Sequence, residues 1–122
     1  MSRNMNGLTI VISAGATDTV LELVGELDYH TTPQLLEVLQ ALDLDPDCQL
    51  VIDLAALDFC DSTGITTLMV ARNRALAADG HIALAALPDH VVRIFSLIGL
   101  DRVFTVHPTV ADAIAARPGP RL

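Results

Sequence analysis

The sequence predicts an α/β protein: a mixed, mostly parallel five-stranded sheet in the order ββαβαβαβα, with the helices packed mainly on one face. Three observations carry this prediction. Short runs rich in Leu, Ile and Val alternate with stretches of helical periodicity, which is the pattern of βαβ crossovers and parallel strands. Two apolar runs near the N-terminus are joined by a short turn and therefore pair antiparallel. Alternate residues within the strands also divide unequally between two faces. Leu21, Leu23, Leu50, Ile52, Leu54, Ile82 and Leu84 make one face strongly apolar, whereas Glu22 and Asp53 interrupt the other. A sheet buried equally on both sides would not carry those carboxylates, unless they sat at strand ends and reached water.

The first strand is Leu8 to Ile12, ended by Ser13-Ala14-Gly15, and the second runs from Thr19 to Val24 and stops at Gly25, read as a turn residue. Thr31-Thr32-Pro33 opens a helix, because proline at a first helical position loses only an N–H that would be unpaired anyway. Leu35, Leu36, Val38, Leu39 and Leu42 continue it to the break at Asp43 to Asp47. Leu50 to Leu54 is the third strand. The longest helical pattern spans Ile65 to Ala78, and Asp79-Gly80 stops it. Ile82 to Leu87 is a fourth strand closed by Pro88. Asp89 to Ile98 is a helix with Gly99 as its left-handed C-cap. Val103 to Val106 is a short fifth strand and Thr109 to Ala116 a last helix. Residues 1–116 read as a single domain, and 117–122 as a flexible C-terminal tail.

The 122 residues are 52 % hydrophobic but only 3 % aromatic, with no Trp, so the core is expected to be built from Leu, Ile, Val and Ala. The formal net charge of −8 argues against direct nucleic-acid binding, which begins with neutralising phosphates. Arginine is scattered along the chain and lysine is absent. Cys48 and Cys60 fall at opposite ends of one expected strand, about 20 Å apart or more at ~3.3 Å per residue. A disulfide needs Cα atoms within about 7 Å, so two free thiols in a reducing compartment are expected. No signal-peptide core and no uncharged stretch of the ~20 residues needed to span a bilayer is visible. A cytoplasmic protein without membrane partners is the expectation.

The chemistry-bearing stretch is Leu57-Asp58-Phe59-Cys60-Asp61-Ser62-Thr63-Gly64-Ile65. It lies between a buried strand and the longest helix, outside the carboxyl end of the sheet, where open α/β sheets place ligands. The Ser62 and Thr63 hydroxyls stand where a helix begins, able to cap free backbone N–H groups. A helix N-terminus also suits a phosphate, since unpaired N–H groups and the positive dipole end point at it. Gly64 allows close approach to the backbone. An ordinary N-cap is the competing reading of the same residues.

Asp61-Ser62-Thr63-Gly64, preceded by Val51-Ile52-Asp53-Leu54 and Leu57-Asp58-Phe59, resembles the phosphorylation loop of STAS-domain anti-sigma factor antagonists. Gly25-Glu26-Leu27-Asp28, Leu87-Pro88 and Ile98-Gly99-Leu100-Asp101-Arg102-Val103-Phe104 are similar to three further segments of that family, in the same order and spacing. The resemblance spans about residues 8 to 116. It implies a STAS fold and a partner-switching function. The unphosphorylated form binds an anti-sigma factor, a histidine-kinase-like ATPase that is also a serine kinase, and so frees the sigma factor. Phosphorylation of Ser62 abolishes binding and a serine phosphatase restores it. The protein itself is then no enzyme, needs no cofactor, and acts as a monomer or weak dimer. The alternative is a STAS subunit of another assembly, a stress-signalling scaffold or a lipid-transport complex, without a phospho-switch.

The residues assigned to partner binding are Asp28, Asp61, Ser62, Thr63, Gly64 and Ile65. Ser62 is the phosphoacceptor and Thr63 the alternative hydroxyl. Asp28 and Asp61 either position the serine and shape the kinase contact or are solvated carboxylates. Gly64 is a backbone-access residue or a plain helix start, and Ile65 docks the partner or packs the core. A phosphate carries about −1.5 to −2 charges, so on this acidic rim it would repel a complementary surface without refolding the protein.

His30, His81, His90 and His107 show no metal-ligand spacing, so no metal is expected. A hydrolase reading of Ser62 would need a histidine base within reach, and His30 is the one candidate on that rim. Cys60 beside the loop is either an inert buried thiol or a redox modulator.

Overall fold

The computed structural model describes residues 2–5 and 7–118, with side chains from residue 7 onward. Its strands are β1 (Ser2–Met5), β2 (Leu8–Ala14), β3 (Asp18–Leu27), β4 (Gln49–Asp53), β5 (Leu57–Cys60), β6 (His81–Ala85) and β7 (Val106–His107). The helices are α1 (Thr32–Ala41), α2 (Ser62–Ala77), α3 (Asp89–Ile98) and α4 (Val110–Ala115), with a 3-10 turn at Leu100–Arg102. They form one seven-stranded sheet in the order β1-β2-β3-β4-β6-β7, with β5 paired to β3. β1, β2 and β3 are antiparallel neighbours. The other pairings, β3 with β4 and β5, β4 with β6, and β6 with β7, are parallel.

Strand faces follow the alternation of the sequence. Leu21, Leu23, Leu27, Leu50, Ile52 and Leu84 pack against Leu35, Val38 and Leu39 of α1, Leu68 and Ala71 of α2, and Val91 and Phe95 of α3. On the other face α4 lays Ala113 and Val110 on Val20, Val51, Ala83 and Ala85. Glu22 and Asp53 are register partners on that second face and only half-buried, because the short α4 does not reach them. At about 1.5–3 kcal/mol for each fully buried Leu, Ile or Val side chain, the three-helix face supplies most of the favourable burial.

Two strands were not expected. β1 is Ser-Arg-Asn-Met, with no apolar alternation to mark it. β5 has the burial order buried, exposed, exposed, buried, so its four residues read as loop. Both changes leave the sheet mixed and mostly parallel but raise its strands from the expected five to seven among the described residues.

β5 exists because β3 is longer than its sequence suggested. Gly25 is not the end of that strand. It takes φ +109°, a conformation side chains resist, at an irregularity in the ladder between β3 and β5. The first half of β3 pairs with β4 and the last three residues with β5, Leu27 standing opposite Cys60. Between β4 and β5 the chain turns at Ala55, whose N–H donates to Asp53 Oδ1 at 3.0 Å. Cys48 and Cys60 are therefore not on one strand, and both are free.

The last strand also shifts. Val103 caps the 3-10 turn and Phe104 enters the core beside Phe95, so β-pairing begins only at Val106. Of the expected tail, 119–122 lie outside the described residues, while Arg117 Nε lies 3.6 Å from Asp18 Oδ1.

Candidate functional site

Two loops meet at the carboxyl end of the sheet because Leu27 and Cys60 are paired neighbours. The chain after Leu27 is Asp28-Tyr29-His30, and after Cys60 it is Asp61-Ser62. Asp61 N–H donates to Leu27 O at 3.2 Å, extending the ladder by one bond. Asp61 then turns the chain into α2.

The cap of α2 is Asp61, not the hydroxyl of Ser62 or Thr63. Its Oδ1 accepts the Gly64 N–H at 2.9 Å, and its Oδ2 accepts the Tyr29 N–H at 3.1 Å. Aspartate is a strong N-cap because a charged acceptor meets an unpaired helix N–H at the positive end of the dipole. Since Asp61 takes that role, α2 begins at Ser62, three residues earlier than the apolar periodicity suggested.

Ser62 is thus the first residue of α2, exposed to solvent. Its carbonyl accepts the Thr66 hydroxyl at 3.0 Å, and its own hydroxyl makes no hydrogen bond among the described residues. The hydroxyl is free for chemistry. Thr63 is half-buried, with its carbonyl accepting the Thr67 hydroxyl at 2.9 Å.

Asp28 is half-buried and committed to its own loop. Its Oδ1 accepts the His30 N–H at 2.9 Å and the Thr31 N–H at 3.1 Å. Thr31 Oγ1 in turn accepts the Asp28 N–H at 2.9 Å and donates to Glu26 O at 2.8 Å. These bonds fix the entry to α1. Asp28 therefore shapes the rim, and among the described residues makes no hydrogen bond to Ser62.

Gly64, read as a point of access to the backbone, is buried instead. A Cβ there would stand 2.5 Å from Leu27 O and 2.9 Å from Cys60 Sγ. The close approach it permits is to its own sheet. Ile65 packs into the three-helix core, with its edge on the surface hollow described next.

That hollow, of about 380 Å³, is lined by Cys60, Asp61, Ser62, Ile65, Thr66, Ile94 and Ile98. Ser62 sits among its polar residues, and the isoleucines of α2 and α3 make its apolar wall. Around it α3 turns unburied apolar residues outward: Ile98 is 57 % and Leu97 85 % exposed. Tyr29, on the facing loop, is 72 % exposed, its ring edge-on to His30 at 5.6 Å. Sequence reasoning missed Tyr29, Ile94 and Ile98. The signal was there in α3, whose Val91 and Phe95 suffice for core contact and leave Leu97 and Ile98 surplus to it.

Cys60, 3 % exposed, has its thiol pushed up to about 12, by burial first and by the Asp61 charge second. It is held protonated and unreactive. Among the described residues no group of three or more His, Cys, Asp or Glu could hold a metal ion. No helix of the described residues is long and apolar enough to cross a membrane.

Residues 9–113 match the family model of the STAS domain. The chain belongs to the STAS domain family. Relatives of this STAS chain include RsfB of Mycobacterium tuberculosis, an anti-sigma-F factor antagonist. The two are 27 % identical over 117 residues, covering 96 % of this chain and 95 % of RsfB. An anti-sigma factor antagonist from Mycobacterium paratuberculosis superposes with a TM-score of 0.81 at 30 % identity, over 92 % of this chain and 95 % of that one. The unphosphorylated form of the anti-sigma factor antagonist SpoIIAA superposes at 0.71 with 22 % identity, over 86 % and 92 % of the two chains. The α/β STAS fold read from the sequence is therefore the fold of this chain, and its named relatives are regulatory proteins.

Proposed function

We propose that this STAS protein is an anti-sigma factor antagonist switched by phosphorylation of Ser62. In the unphosphorylated state it binds a kinase-type anti-sigma factor and displaces the sigma factor. The observation that carries this reading is the free, exposed Ser62 hydroxyl on the first residue of α2, beside the apolar hollow of Ile65, Ile94 and Ile98. A partner filling that hollow would bring its own surface onto Ser62.

The switching step is ordinary phosphoryl transfer. Ser62 Oγ attacks the γ-phosphorus of ATP held by the kinase, ADP leaves, and the hydroxyl proton passes to a base on the kinase. The product carries about −1.5 to −2 charges where Asp28 and Asp61 already stand on two adjacent loops. An anion inserted into a closed interface costs several kcal/mol, which is enough to reverse binding. A serine phosphatase resets the state. Asp28 and Gly64 serve by holding the two loops in register, while Ser62, Thr63, Ile65 and the outer edge of Asp61 meet the partner.

The test is incubation with the kinase-type anti-sigma factor of the same organism and ATP. The expected result is a mass gain of one phosphate, absent from Ser62→Ala, and loss of complex formation in the modified protein. Phosphate at another residue, or undiminished binding after modification, would overturn the reading.

A further inference from the structure

The Asp61 carboxylate is shared between two elements. Oδ1 holds the start of α2 through the Gly64 N–H, and Oδ2 holds the β3–α1 loop through the Tyr29 N–H. The neighbouring amides of that loop are secured differently: His30 and Thr31 both donate to Asp28 Oδ1. The Tyr29 N–H is thus the point at which this loop depends on the residue beside Ser62.

We propose that Asp61 is a positioning residue that couples Ser62 to the Tyr29 loop, so that a phosphate on Ser62 releases the Tyr29 N–H as well as presenting its own charge. The inference rests on Ser62 being the phosphoacceptor. A phosphate on the first residue of α2 would compete at the helix N-terminus for the Gly64 N–H that Asp61 holds, because such a terminus favours the more highly charged anion. The two anions are on adjacent residues and repel each other. A carboxylate is a rigid plane, so turning Oδ1 away from Gly64 also turns Oδ2 away from Tyr29. Tyr29, exposed and tied through its N–H to Asp61 on the wall of the hollow, is an aromatic of the kind that anchors protein interfaces. Loosening it removes a contact that the partner would otherwise find already ordered. The effect is confined to that amide, since Asp28 and Thr31 keep the rest of the loop in place.

Residue-resolved amide hydrogen exchange on the full chain tests this, comparing Ser62 with phosphoserine incorporated directly at position 62 during translation. Exchange of the Tyr29 amide should speed up by about tenfold or more, as expected for losing one hydrogen bond to a charged acceptor. The His30 and Thr31 amides and those of β3 should be unchanged. Asp61→Asn supplies the second arm. Asparagine has one acceptor oxygen, remains a good N-cap for Gly64, and turns an NH2 towards Tyr29. In that variant Tyr29 exchange should already be fast, and phosphoserine should add less than about twofold, while the Gly64 amide stays protected in the unphosphorylated form. Tyr29 exchange that ignores phosphoserine in the native background would overturn the coupling. So would equal phosphoserine responses in the native protein and the Asp61→Asn variant. Neither result would touch the Ser62 switch, which stands or falls on kinase labelling and binding.

Discussion

The α-carbon of Gly64 faces the carbonyl oxygen of Leu27 so closely that a single methyl group would stand 2.5 Å from it. This contact seats the start of α2 against the end of β3 and thereby sets where Ser62 emerges. Gly64→Ala must push α2 outward. It should cost about 1–3 kcal/mol, the range for overpacking a tight site, measured as a lowered denaturation midpoint. It should also weaken partner binding, because Ser62 and the Ile65 wall move with the helix.

Asp28 closes the loop that carries Tyr29. Asp28→Ala leaves the His30 N–H without its acceptor and the Thr31 N–H with only the longer bond to the residue-28 carbonyl. It should destabilise the protein by about 1–2 kcal/mol, as for loss of a capping side chain. Urea denaturation checks it. Asp28→Asn, which retains an acceptor oxygen, should recover most of that loss.

The two thiols should differ sharply in reactivity. Cys48 is half-buried and Cys60 is buried with its thiol raised to about 12, so a thiol reagent at neutral pH should modify Cys48 first. The same shift has a consequence for stability at alkaline pH. The unfolded thiol ionises near 9.0 and the folded one near 12, so the folded state holds the proton longer. The contribution is complete below about pH 9 and is lost as the pH rises towards 12. Thermal scans should show the melting temperature falling from about pH 9 upward, and Cys60→Ala should flatten that fall.

The outward apolar residues of α3 should matter for binding and not for folding. Ile98→Ser removes an exposed side chain, so stability should stay within about 0.5 kcal/mol. Affinity for the anti-sigma factor should drop by about 1–2 kcal/mol, some five- to thirtyfold, measured by calorimetry.

Much of this was legible in the residues themselves. The Leu/Ile alternation of β3, β4 and β6 against the Glu22 and Asp53 face announced which side the helices would take. Thr32-Pro33 and Gly99 marked helix ends by local stereochemistry alone. What stayed hidden depends on long-range pairing. Leu57-Asp58-Phe59-Cys60 lacks alternation and becomes a strand only because β3 continues past Gly25 and offers it an edge. Phe59, 48 % exposed, shows that core burial did not select its strand conformation. Within the site, Asp-Ser-Thr-Gly pointed to the right helix start but not to the division of labour. Asp61 is fixed as the cap by the Leu27 carbonyl at the end of β3 and the Tyr29 N–H in the loop that follows, both distant in sequence. Gly64 looked open from sequence for the same reason: its neighbours are not its sequence neighbours.

The most direct measurement is the affinity of the kinase-type anti-sigma factor for the full chain bearing serine or phosphoserine at position 62. Under this account, phosphate at that residue lowers affinity at least about a hundredfold, equivalent to roughly 3 kcal/mol. Equal affinities for the two forms would contradict it.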